Sequence, residues 1–137
     1  MDITDEHGNR LPQGTVVDLM PHSPHTGIIG YANNGQQVVA HNSKKYGKAV
    51  VTFPEEFNDG SIPVRYTRLP VNPQEGARIW QNATNDVARG VRWLPGDNCQ
   101  DFASRAVAGH NGSPTRDKLV GIGALAAIVW LGSKLLD

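Results

Sequence analysis

Apolar positions along the chain follow two periods: short runs or alternation in the first half, and a 3.6-residue spacing from about Asn72 onward. Thr15-Val16-Val17-Asp18-Leu19-Met20 reads as a strand, and Pro21-His22-Ser23-Pro24 stops it because two prolines cannot continue a ladder. Thr26-Gly27-Ile28-Ile29-Gly30-Tyr31 and Gln37-Val38-Val39-Ala40-His41 read as two strands joined through Asn33-Asn34-Gly35, which is hairpin-turn chemistry. His25 opens the first of this pair and His41 closes the second, so an antiparallel register brings the two imidazoles together at the open end of the hairpin. Lys48 to Phe53 is a further strand ended by Pro54. Ile62 to Leu69 is another, with Pro63 assigning it to an edge.

The period then changes. Asn72-Pro73-Gln74-Glu75 is a helix start, with Asn as cap, Pro in the first position and Glu in the third, leading into Ile79, Ala83 and Val87 on one face. That helix covers Asn72 to Arg89 and ends at Gly90. After Pro95-Gly96, Asp97 is placed to cap a second helix with Gln100 as the returning partner, and Cys99, Phe102, Ala103, Ala106 and Val107 share its buried face up to Gly109. The pattern predicts an α+β fold: a small antiparallel sheet of about four strands packed by the Asn72 to Arg89 and Asn98 to Ala108 helices. Residues 1–13 form a polar lead-in, 14–112 the folded unit, and 113–137 an apolar C-terminal helix. In that last segment every residue from Leu119 to Leu131 is apolar or glycine, with Lys118 and Lys134 at either side. A helix apolar on all sides belongs in a membrane or in a core, and thirteen residues fall short of the ~20 of a full span, so membrane contact through 119–136 and burial in the core both stay open.

Composition narrows the function. Thirteen basic and thirteen acidic side chains cancel, so the chain has no positive excess with which to hold a nucleic-acid backbone, and nucleic acid is not an expected partner. A single cysteine rules out an internal disulfide. The start of the chain, Met1-Asp2-Ile3-Thr4-Asp5-Glu6, lacks the features of a Sec signal peptide, so the expected location is cytoplasmic or membrane-associated, with a specialised secretion route left open.

The cysteine carries the candidate chemistry. In the first turn of a helix, free N–H groups and the positive end of the dipole favour a thiolate, so Cys99 is expected to ionise more easily than a free thiol. A cysteine nucleophile also needs a base and a group that orients the base, and His25 and His41 are available for these roles. Asn98 and Gln100 flank the thiol as supporting groups, and the Cys99 backbone N–H is a natural oxyanion donor. The competing reading is a small apolar residue in the core. His22, His25, His41 and Cys99 are also residue types that bind zinc, but the His22-x-x-His25 spacing lies in a proline-broken loop without a second cysteine, and no metal or cofactor is expected.

A histidine before an apolar strand, a turn, Val-Val-x-His, and then Asn-Cys-x-x-Phe opening a helix resembles the lecithin:retinol acyltransferase family over roughly Gly14 to Val107, and the apolar tail echoes its phospholipase/acyltransferase members. The resemblance implies a permuted papain-like fold related to the NlpC cell-wall peptidases. It also implies Cys99 as nucleophile, His25 as base and His41 as the orienting residue. The chain departs from the family in having Gln100-Asp101 where Glu-His is usual, Thr26 where an aromatic often follows the base, and Ala40 as an extra residue before His41. The expected activity is a cysteine-dependent hydrolase or acyltransferase working through an acyl-enzyme on an ester or amide, with a lipid ester slightly favoured. A peptide or peptidoglycan amidase of NlpC type is the alternative. A non-catalytic membrane or partner-binding module is the third reading.

Overall fold

The computed structural model describes residues 2–19, 25–58, 64–96 and 98–109. Five strands form one antiparallel sheet: β1 (Val16–Leu19), β2 (Thr26–Tyr31), β3 (Gln37–Ser43), β4 (Lys48–Thr52) and β5 (Val64–Arg68). Their order across the sheet is β4-β3-β2-β1-β5. The sheet is therefore one strand wider than expected, and β5 lies at an edge, as Pro63 required. The hairpin closes at Gly35, whose φ of 85° only glycine adopts freely. Strand β3 continues for two residues beyond the expected end, so His41 lies inside a paired strand rather than at its tip.

Strand alternation gives the sheet two buried faces. On one, Val16, Ile28, Val38, Ala40 and Val51 pack against helices α2 (Pro73–Ala88) and α3 (Cys99–Ala108) through Ile79, Trp80, Phe102 and Ala106. Gly30 belongs to this face, and a Cβ there would lie 2.4 Å from the Trp80 ring, so the indole rests directly on the β2 backbone. On the other face Val17, Leu19, Ile29 and Val39 pack with Phe57 of a short helix, α1 (Pro54–Phe57), which the sequence pattern did not announce. The lead-in completes this second layer. Leu11 is buried in it, and the Gln37 side chain holds Ile3 by accepting from its N–H at 2.6 Å and donating to its carbonyl at 3.0 Å.

Both long helices begin on side-chain caps. Asn72 accepts from the Glu75 N–H at 2.8 Å, as the Asn-Pro-Gln-Glu start requires. For α3 the cap is Asn98, not the expected Asp97: its side chain accepts from Gln100 and Asp101 N–H groups, and Asp101, not Gln100, returns the bond to the Asn98 N–H. The shift by one residue makes Cys99 the first residue of the helix. Helices α2 and α3 are tied by Asp86, 1% exposed, which binds Arg89 at 2.7 Å and Arg105 at 2.9 Å. No described helix is long and apolar enough to cross a membrane, and the apolar 119–136 segment lies outside the described residues.

Candidate active site

The register of β2 and β3 brings the two histidines together. The ladder pairs Ile28 with Ala40, so His25 and His41 fall diagonally across the open end of the hairpin, and His25 Nε2 lies 3.0 Å from His41 Nδ1. His41 alternates with Val39 and so belongs to the face of the sheet that carries Phe57. The three rings form a cluster, with His25 stacked on Phe57 and His41 edge-on to both. Gly27 makes room for it: a Cβ at that position would come within 2.6 Å of Val39 and 2.9 Å of Phe57.

The chain of bonds runs one residue further than the sequence indicated. His41 Nε2 lies 2.9 Å from the Thr52 hydroxyl, with His41 only 1% exposed and Thr52 4%. Thr52 is one strand away, across from Val39 in the β3–β4 register, and no local pattern marks it. Burial holds the His25 imidazole below its ordinary pKa. Burial and then the neighbouring His25 bring His41 down to about 3, so it is a neutral imidazole throughout the physiological range.

Cys99 approaches from the helix face. The β2–β3 ladder ends at Ile28, and the N–H of Thr26 beyond it donates toward the Cys99 sulfur, together with those of Cys99 itself and Gln100. The thiol thus meets the sheet one residue along from His25. Its environment differs from the expected one: burial, with the residue 8% exposed, pushes the Cys99 thiol up, the three N–H groups oppose this, and the Asp18 charge adds to it. The helix start and the Thr26 N–H stabilise the thiolate, but desolvation by burial outweighs them. Among the expected supporting residues, the Asn98 side chain is engaged as the helix cap, while Gln100 lines a groove.

That groove lies between α3 and the β1–β5 edge, has a volume of about 500 Å³, and is lined by Asp18, Thr26, Arg68, Gln100, Ser104 and Val107 among others. Its walls are mixed polar and aliphatic. Among the described residues no three His, Cys, Asp or Glu side chains cluster as a metal site, and His22 lies outside them. No protein-family model matches the chain, and neither a curated protein nor a solved structure shows significant similarity to it.

Proposed function

We propose that this protein is a cysteine-dependent hydrolase or acyltransferase of permuted papain-like type, acting through an acyl-enzyme on an ester or amide bond. The observation that carries the reading is the His25–His41–Thr52 chain at the start of β2, where the N–H of Thr26, one residue on from His25, donates toward the sole cysteine at a helix start. Such a chain has a use in proton transfer. Two proton arrangements satisfy both of its bonds, and the one in which His25 Nε2–H donates to His41, and His41 Nε2–H to Thr52, leaves a lone pair on His25 Nδ1. That nitrogen is the base. The resemblance to the lecithin:retinol acyltransferase family points to the same residues in the same roles.

In the reaction, the Cys99 proton passes to His25 Nδ1 as sulfur attacks the carbonyl carbon. The C–S bond forms, the carbonyl π bond opens onto oxygen, and the Cys99 N–H receives the oxyanion. Collapse expels the alcohol or amine, which takes the proton from His25 and leaves a thioester on Cys99. Water or a second nucleophile then adds, losing its proton to His25, and the thiol leaves. Because burial raises the thiol and lowers the imidazole, the resting pair is neutral, and proton transfer accompanies attack rather than preceding it. His41 stays uncharged and fixes the ring of His25.

The mixed lining of the groove beside Cys99 favours an amide or a polar ester over the long-chain lipid ester that the apolar tail suggested. Incubation of the full chain with defined phospholipids and with peptide amides tests the function. Product formation that Cys99→Ala abolishes, with the variant still folded by circular dichroism, is the expected result. Turnover surviving in Cys99→Ala overturns the assignment.

A further inference from the structure

Asp18 is the feature of the groove that the reaction above does not use. It stands in β1 on the wall of the groove that Thr26 and Gln100 also line, and its charge adds slightly to the upward push on the thiol. One of its oxygens, Oδ1, accepts from the Thr26 hydroxyl at 2.6 Å. No cation among the described residues lies within ion-pair distance of it: Arg68, on the same groove, is bound to Glu75 at 2.9 Å, and Arg65, its cross-strand neighbour, is exposed and makes no such contact. A groove-wall carboxylate that accepts from a hydroxyl and has no ion-pair partner among the described residues is free to receive a cationic group of a ligand. Val16, Ala103 and Val107 supply the aliphatic wall against which a short side chain beside that group would lie.

Building on the thiol-nucleophile reading, we infer that the groove holds the acyl portion of the substrate and that Asp18 binds a protonated amine on it, making the substrates amides or esters of aminoacyl or peptidyl groups with a free ammonium. Asp18 is then a specificity residue of the groove.

The test separates binding from chemistry. In the full-length Cys99→Ala variant, leucylglycinamide and its N-acetyl derivative are titrated by NMR, and the free amine is expected to bind at least tenfold more tightly. Asp18→Asn in the same background keeps the acceptor for Thr26 and is expected to remove the difference. Equal affinity for the two ligands, a comparison that needs no further variant, overturns the inference, as does a preference that persists in Asp18→Asn. Cleavage of leucine p-nitroanilide by the wild-type chain reports on the nucleophile alone. An amine preference in Cys99→Ala without Cys99-dependent cleavage supports the subsite and counts against the enzyme reading.

Discussion

His41 has no charge to offer, and this sets what it can do for His25. A neutral imidazole orients its neighbour through one bond, and that bond is directional only while its own second nitrogen is held by Thr52. Thr52→Val removes the hydroxyl, strands a buried ring N–H, and is expected to lower kcat about tenfold, equivalent to ~1.4 kcal/mol, with KM little changed. Thr52→Ser is expected to restore the rate; a threonine that merely filled space would instead be replaced better by valine. On the proposed mechanism His25→Ala is expected to cost more rate than His41→Ala, because there the base transfers the proton whereas His41 only positions it. The reverse order in steady-state kinetics would exchange the two roles.

Elements differ in how far their own residues announce them. Helix α2 was legible because Asn72, Pro73 and Glu75 act on one another within a single turn. The strands of the hairpin were legible from Asn33-Asn34-Gly35 and the apolar runs beside it, and with them the meeting of His25 and His41. Helix α1 is four residues long, too short to show a period, yet its Phe57 supplies the ring that packs both histidines. Thr52 reaches His41 only through the β3–β4 register, and the depression of Cys99 ionisation comes from tertiary burial of the thiol, opposed in part by the N–H of Thr26, more than seventy positions away in sequence. Contacts of that range depend on tertiary pairing and leave no local trace. The α2–α3 pairing that holds the Cys99 helix depends in turn on Asp86, whose partners are both arginines and partly exposed. Asp86→Ala leaves those arginines facing a buried gap and is expected to destabilise the fold by about 2 kcal/mol in urea titration, below the ~3–5 kcal/mol of a fully buried pair because both arginines reach solvent. A loss near zero would mean that the apolar contacts between the helices suffice.

The molecule as a whole buries a titratable pair in its second layer, and its stability should follow pH accordingly. His41 has a folded pKa of about 3 against an ordinary value of 6.5, so the unfolded chain binds more protons at intermediate pH. The stability this contributes is fully present above pH 6.5, falls by up to about 1.4 kcal/mol per pH unit as pH drops below that value, and is exhausted near pH 3. His41→Gln is expected to flatten the slope between pH 6.5 and 5, above the range where most carboxylates titrate; an unchanged slope in urea unfolding would place the effect elsewhere. The histidines lie on one face of the sheet and the cysteine helix on the other, and they come closest at the start of β2, so the proposed mechanism requires His25 to reach Cys99 around that end. With a single cysteine in the chain, any thiol adduct reports on that cooperation without ambiguity. The decisive measurement is the rate of Cys99 alkylation by iodoacetamide at pH 7, followed by intact mass, in the wild-type chain and in His25→Ala. Assistance from His25 predicts alkylation at least tenfold slower in the variant; equal rates would show that His25 does not serve the thiol.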